Sequence, residues 1–289
     1  MRPGRFKHFA AIDWSGAVGQ RKRGIAVALC SAGEHAPQLI RPGHNWSRTE
    51  VGDWLIADLP ADTLVGIDLS MGFPFADRAA YFPGWDESPA SARELWQLVD
   101  QICADDAHLA VSSFVDHPAA APHFRRHGGR EGSRFGGGRG RFRVTELAKA
   151  SQGTRPYSNF NLVGAAQVGK SSLTGMRLLN RVSPPLAIWP FDPLPETGSV
   201  VVEIYTTIAA IEAGRPASRS KMRSYAHLNE ALMKIGSKPF PGSGAIDDHS
   251  SDALLTAAWL RIAAHRPELW KPDSLDKIAQ TEGWTFGAT

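Results

Sequence analysis

Acidic side chains stand at the ends of several apolar segments of this 289-residue chain. Asp13 follows the apolar run at 9–12, Asp68 follows a second run at 63–67, and residues 247–252 place three further aspartates at the start of a helical pattern. The ends of neighbouring strands meet where open α/β sheets bind ligands. Carboxylates that converge there repel one another and need a cation. Mg²⁺ or Mn²⁺, which prefer oxygen ligands, are the expected cofactors.

This pattern predicts a catalytic metal site. We expect Asp13, Asp68 and Asp252 to hold the ions, with Asp248 or His249 completing the site or activating water. Asp248, His249 and Asp252 share one helix face because they are three and four residues apart. Two ions held there would stabilise the attacking and leaving oxygens of a phosphoryl displacement. Each acid alone is explained as well by a turn or a helix cap, and only the set favours a site.

Glu203 is a secondary candidate for a metal ligand. It lies within the apolar strand pattern at 200–205. A charge in that position is costly unless it faces a metal ion or a basic partner.

Alternating strand and helix patterns must position these acids. The order of elements indicates an α/β layer architecture with a mixed central sheet and flanking helices. Strands are predicted at 9–13, 24–30, 38–40, 63–68 and 200–205, with the second as hairpin partner of the first, and helices at 49–59, 90–104, 218–235 and 247–265. Ser47 or Thr49 is a plausible cap of the first helix.

A Gly- and Arg-rich segment at 123–143 interrupts this order. Its apolar content is too low for a packed core, which predicts a mobile loop inside an insertion at about 73–198. Its arginines could neutralise phosphates while its phenylalanines stack on bases. We therefore predict Arg139, Arg141 and Arg143 as substrate-binding residues, although a solvated loop with no ligand explains the composition equally well.

A competing motif, Gly164-Ala-Ala-Gln-Val-Gly-Lys-Ser171, matches the Walker A pattern. That pattern binds phosphate only between a strand and a helix. A helix over 171–179 is credible, whereas 157–163 is a poor buried strand. A P-loop-like nucleotide-binding protein or ATPase is thus the alternative function. Our preferred role for Lys170 is a phosphate or carboxylate partner beside the acidic site.

Several motifs together resemble a known family. Ile-Asp13-Trp-Ser-Gly, Gly-Ile-Asp68-Leu-Ser-Met-Gly-Phe-Pro, Val-Glu203-Ile-Tyr and the Asp-rich last helix are similar to the uncharacterised bacterial group of predicted ribonuclease H-like nucleases. His249-Ser-Ser-Asp252-Ala-Leu is similar to the last helix of RuvC-type Holliday-junction resolvases. The better-known members carry Glu where this chain has Asp68, which shortens the reach of that side chain by one methylene.

The resemblance implies a ribonuclease H-like core spanning 1–289 as a single domain, with the insertion inside it. It also implies a Mg²⁺- or Mn²⁺-dependent nuclease that cleaves the phosphodiester bonds of DNA or RNA by a two-metal mechanism. A non-catalytic nucleic-acid-binding module that kept the fold is a further alternative.

Composition agrees with an ordinary globular protein. Hydrophobic residues make up 43% of the chain, and the net charge of +3 permits a polyanionic partner without requiring one. Cys30 and Cys103 lack the spacing of a disulfide framework or a zinc site. No export signal and no membrane-spanning run is apparent, so a cytoplasmic protein that does not bind membranes is expected.

Overall fold

A six-stranded β-sheet forms the centre of the fold, in a computed structural model that describes residues 4–126, 128, 130–163 and 167–289. The strands are β1 (His8–Asp13), β2 (Ala26–Ser31), β3 (Gln38–Leu39), β4 (Thr63–Ile67), β5 (Ala187–Ile188) and β6 (Val200–Glu203). Their order across the sheet is β3-β2-β1-β4-β6-β5.

The sheet is mixed, as the sequence predicts. Strand β1 pairs antiparallel with β2, and β2 pairs antiparallel with β3. On the other side of β1, the pairs β1·β4, β4·β6 and β6·β5 are all parallel. The carboxyl ends of β1, β4 and β6 therefore lie side by side at one edge.

Helices cover both faces of the sheet. They are α1 (Arg48–Ala57), α2 (Ala92–Ile102), α3 (Ser112–Asp116), α4 (Val144–Ser151), α5 (Val168–Val182), α6 (Thr206–Glu212), α7 (Tyr225–Lys234), α8 (Asp248–Ala263), α9 (Pro267–Trp270) and α10 (Leu275–Ile278). Short 3-10 turns include Ala107–Leu109, Ala121–His123 and Ala217–Arg219. Helix α8 packs on β1 and β2 and also contacts α6 and α7, whereas α5 packs against α1 and α2.

The apolar runs of the central strands follow from this double covering. Successive side chains of a strand point to opposite faces. In β1, Phe9 and Ala11 belong to the core beneath α8, and Ala10 and Ile12 belong to the core beneath α1, α2 and α5. Both faces are buried, so the strand reads as continuously apolar.

The helix predictions hold for three of the four segments. Ser47 caps α1, its hydroxyl accepting a hydrogen bond from the Glu50 N–H at 3.1 Å. The helix predicted over 218–235 is wrong in its first third, because α7 begins only at Tyr225. Ser224 is its N-cap and accepts a hydrogen bond from the His227 N–H, and serine at that position favours a helix start over helix interior.

The segment at 123–143 is an irregular loop with an exposed middle, but several of its side chains are buried, which its composition does not indicate. Phe124 and Phe135 are almost completely buried, and Phe124 lies in an aromatic cluster with Phe73 and Phe160. A few large aromatic side chains anchor the segment despite its low overall hydrophobicity. Residues 127 and 129 lie outside the described part of this segment.

Within the described ranges, none of the helices combines the length and the apolar character that crossing a membrane would require.

Candidate functional site

Asp13 and Asp68 lie next to each other at the carboxyl ends of two parallel strands. The register pairs Ile12 with Ile67, and the Asp68 N–H donates to the Ile12 carbonyl at 2.9 Å. The two aspartates therefore occupy equivalent positions on adjacent strands, which are about 4.8 Å apart. Ile12 and Ile67 face the core beneath α5, and alternation therefore turns both aspartates toward α8.

Helix α8 brings the third carboxylate and a histidine to the same point. Asp252 is only 4% exposed, and His249 Nδ1 lies 2.8 Å from Asp13 Oδ2. Gly24 makes room for the imidazole, because a Cβ there would lie 3.3 Å from the His249 ring. Asp247 caps the helix, its carboxylate accepting a hydrogen bond from the Ser250 N–H at 2.8 Å. Asp13, Asp68 and Asp252 are called the carboxylate cluster below.

A lysine that the sequence analysis missed lies at the carboxylate cluster. The Lys221 ammonium donates to Asp252 Oδ2 and is also attracted by Asp13 and Asp68. Two residues further along, Arg223 lies 3.7 Å from Asp248, which places Asp248 at the edge of the cluster. The alternation of Lys221, Met222 and Arg223 is a sequence signal for an extended segment with two cations on one side, which the helix prediction for 218–235 obscured.

The electrostatics of the cluster show an excess of negative charge. Burial, and then the nearby Asp13, raise the pKa of Asp68 to about 8. Burial also raises the pKa of Asp252 to about 6, with Asp13 adding to the effect and Lys221 opposing it. The hydrogen bond to Asp13 raises the pKa of His249. Burial is the larger cause for both aspartates and the neighbouring carboxylates add to it, and an added cation would lower both costs.

The donor chemistry of the cluster suits a hard divalent ion, since carboxylate oxygens are the ligands that Mg²⁺ and Mn²⁺ prefer. As arranged in the described part of the chain, no group of three or more His, Cys, Asp or Glu side chains forms a ready coordination site. Asp13 is hydrogen-bonded to His249 and Asp252 to Lys221. These two partners hold carboxylate oxygens that an ion would require.

A cavity of about 480 Å³ opens beside the cluster at the carboxyl ends of β1, β4 and β6. Asp68 lies in its wall, together with the largely buried Lys149. Its other lining residues are Trp14, Ser15, Gly16, Ala17, Leu69, Ser70, Glu146, Pro156, Tyr157, Gln167, Val168, Ser171, Glu203, Ile204 and Tyr205. This is the edge at which α/β sheets bind ligands, and the volume is typical of a small-molecule site.

Glu203 does not join the carboxylate cluster, which corrects its assignment as a secondary ligand. It pairs with Ile67 in the β4·β6 register and thus points to the opposite face from Asp68. Its carboxylate accepts hydrogen bonds from both terminal nitrogens of Arg143, from the Met71 N–H at 2.8 Å and from the Thr285 hydroxyl. Glu203 has the basic partner that a buried charge requires.

The arginines predicted to bind substrate are largely committed to internal contacts. Arg143 is fully buried between Glu146 and Glu203, and we call these three residues the Arg143 network. Arg141 is also buried and forms a salt bridge with Asp77 at 2.6 Å. Substrate-binding roles for Arg141 and Arg143 are therefore wrong.

Arg139 differs from its two neighbours because its side chain is exposed. It donates to the Pro156 carbonyl, and Pro156 lines the 480 Å³ cavity. A role of Arg139 toward substrate stays a prediction.

Lys170 lines a different cavity from Asp68. It lines a second cavity of about 500 Å³ together with Arg48, on the other side of the loop at 16–17. Three N–H groups of the described part of the motif are already engaged: Gly169 donates to the Asn161 carbonyl, and Lys170 and Ser171 donate to the Gln167 carbonyl. Residues 157–163 form no strand beyond an isolated bridge at Asn161, and residues 164–166 of the motif lie outside the described ranges.

Comparison of the chain with known proteins found no match among protein-family models, curated proteins or solved structures.

Proposed function

We propose that this chain is a Mg²⁺- or Mn²⁺-dependent phosphodiester hydrolase with a ribonuclease H-like core. One observation carries the proposal: Asp13 and Asp68 occupy equivalent positions on adjacent parallel strands, and the buried Asp252 of α8 faces them. The mixed sheet with the parallel pair β1·β4 at its centre supports such a core. The sequence motifs favour a nuclease as the form of this activity, and the two unpaired cysteines favour a cytoplasmic setting.

In this proposal Asp13, Asp68 and Asp252 hold the metal. When bound, the ion supplies a Lewis acid for the phosphoryl oxygens and a water of lowered pKa. His249 orients the Asp13 carboxylate through its hydrogen bond of 2.8 Å and can hold a proton beside it. Its side chain is 40% exposed, so the imidazole can also exchange that proton with water.

The 480 Å³ cavity is the proposed entry for the substrate. Asp68 in its wall connects the cavity to the carboxylate cluster, and the Lys149 ammonium lies on the same wall. Lys149 is held by Glu146 at 3.2 Å and lies over the Tyr205 ring at 5.1 Å. A phosphodiester in the cavity would thus meet a fixed cation on one side and the metal-binding acids on the other.

The test is hydrolysis of bis(p-nitrophenyl) phosphate and of labelled single-stranded DNA, RNA and branched DNA, with Mn²⁺ or with EDTA. We expect metal-dependent cleavage that Asp13→Asn and Asp68→Asn each reduce by about 100-fold or more, because each removes charge stabilisation from the reacting centre. Asp53→Asn is the matched control, since Asp53 is exposed and forms a surface salt bridge with Arg181 of α5. Cleavage that survives EDTA, or that Asp13→Asn leaves intact, would contradict the proposal.

A further inference from the structure

The segment that carries Lys221 is anchored against α8 by its middle residue. Met222 is fully buried, and its carbonyl accepts a hydrogen bond from the Ser251 hydroxyl at 2.7 Å. With Met222 directed inward, Lys221 and Arg223 lie on the other side of the segment, each beside an aspartate of α8. We call residues 221–223 the basic segment.

The spacing of the basic segment matches that of the helix. Residues two apart in extended chain are separated by about 6.6 Å. Residues four apart on an α-helix, as Asp248 and Asp252 are, rise by about 6.0 Å. The two cations are therefore in register with the two acids, Lys221 with Asp252 and Arg223 with Asp248.

The two pairs differ in their surroundings. Arg223 is 79% exposed and 3.7 Å from its acid, a contact that solvent screens strongly. Lys221 reaches Asp252, whose side chain is 5% exposed, and it also interacts with Asp13 and Asp68. Lys221 is thus a resident cation of the whole carboxylate cluster, whereas Arg223 is a surface partner of one acid.

Charge balance then limits what else the cluster can accept. The cluster contributes three negative charges when fully ionised, and Lys221 contributes one positive charge. Counted for the three carboxylates and Lys221 alone, a single divalent ion gives a neutral cluster, whereas two divalent ions would leave two excess positive charges before a phosphate binds. Buried excess charge of either sign is unfavourable.

We infer that Lys221 takes the place of one of the two metal ions of a two-metal site, so that this cluster binds a single divalent ion. The inference rests on the proposed function in one respect, namely that the cluster binds a metal. It changes the expected mechanism, because the ammonium, on a side chain that is 49% exposed, would supply positive charge that a second ion supplies in a two-metal site.

Titration with Mn²⁺ alone, followed by calorimetry and by electron paramagnetic resonance of the free ion, tests the inference. We expect one bound Mn²⁺ in the wild type. Lys221→Met should gain either a second equivalent or at least about tenfold tighter binding, because a repelling charge a few ångströms from the ion is removed. Lys221→Arg, which keeps the charge, should keep the wild-type stoichiometry. Arg223→Met is the matched control and should titrate like the wild type, with thermal unfolding confirming that each variant is folded.

The outcomes separate this inference from the proposed function. If Lys221→Met binds Mn²⁺ with unchanged or weaker affinity and the same stoichiometry as the wild type, the role of Lys221 is overturned while the metal site stands. If neither protein binds Mn²⁺, the proposed function fails and the inference fails with it.

Discussion

The carboxylate cluster and the Arg143 network place acids at the carboxyl ends of neighbouring strands but neutralise them differently. Glu203, at the end of β6, has two guanidinium contacts, a backbone N–H and a hydroxyl. Asp13 and Asp68, at the ends of β1 and β4, share one lysine and one histidine with Asp252. Opposite faces of the same sheet edge therefore hold a satisfied ion network and an undersatisfied one.

The pKa shifts of the acids in these two groups distinguish structural acids from candidate functional ones. In the Arg143 network, the guanidinium lowers the pKa of Glu146 against the effect of burial, so the folded protein favours the charged form. In the carboxylate cluster, burial and like charge raise the pKa values of Asp68 and Asp252 to about 8 and about 6. A site that retains costly charge in a cleft is a functional candidate, and one that neutralises its charge internally is a scaffold.

The largest expected loss of stability follows from removing the guanidinium of the Arg143 network. Arg143→Met leaves Glu146 and Glu203 buried without their main partner and should lower the free energy of unfolding by about 3–5 kcal/mol. Urea unfolding monitored by circular dichroism measures the change. Arg143→Lys, which keeps the charge but loses the forked contacts, should lie between this variant and the wild type. A loss below about 1 kcal/mol in Arg143→Met would show that the network is not structural.

The stability of the protein should depend on pH through the carboxylate cluster in the opposite sense to that expected from a salt-bridged carboxylate, whose pKa is lowered. The pKa of Asp68 is raised above its unfolded value, so the folded protein retains a proton, and stability is lost as pH rises from about 4 to about 8. We expect the wild type, in EDTA, to lose up to about 4 kcal/mol of unfolding free energy between pH 5 and pH 8.5, since one retained proton is worth about 1.4 kcal/mol per pH unit. His249, whose pKa is also raised, adds to this loss in the same direction.

Asp68→Asn isolates the contribution of the cluster to that pH dependence. The variant removes the charge while keeping the shape of the side chain, so its stability should vary much less over the same pH range. Urea unfolding at the two pH values, with Asp53→Asn as the surface control, measures the difference. An equal pH dependence in Asp68→Asn and wild type would contradict the charge surplus assigned to the cluster.

A smaller effect is expected from the histidine that orients Asp13. His249→Gln should change the unfolding free energy by no more than about 1 kcal/mol, because the side chain is 40% exposed. It should weaken Mn²⁺ binding by about 10-fold, the usual cost of losing a partner that orients a ligand. Calorimetric titration measures the affinity, and an unchanged value would remove His249 from the site.

The smallest effect on stability is expected in the Gly- and Arg-rich segment. Arg139 is exposed. Its guanidinium donates a hydrogen bond to the Pro156 carbonyl and lies over the Phe142 ring. Arg139→Gln should leave the unfolding free energy within about 0.5 kcal/mol of the wild type. Cleavage measured at low and high salt then asks whether Arg139 contacts substrate, since the loss of a phosphate contact weakens the salt dependence.

Local sequence patterns were enough to predict the elements that carry the site. Continuous apolar runs ending in an acid predicted β1 and β4, because strands buried on both faces leave no polar alternation. Periodic apolar residues behind Asp247 predicted α8, and Asp247 is its cap. These signals are local, since they depend on backbone propensity and on burial of one element at a time.

Which charged groups contact one another follows from the three-dimensional fold and was not predictable from the sequence. Glu203 and Asp68 both end apolar strands, yet the β4·β6 register directs them to opposite faces. Arg143 lies in a segment that reads as solvated, yet it is buried 60 residues from its partner Glu203 in sequence. Lys221 reaches the cluster because Met222 anchors an extended segment against α8. The energy of such pairs depends on distances across the fold and on burial, and neither quantity is encoded in the spacing along the chain.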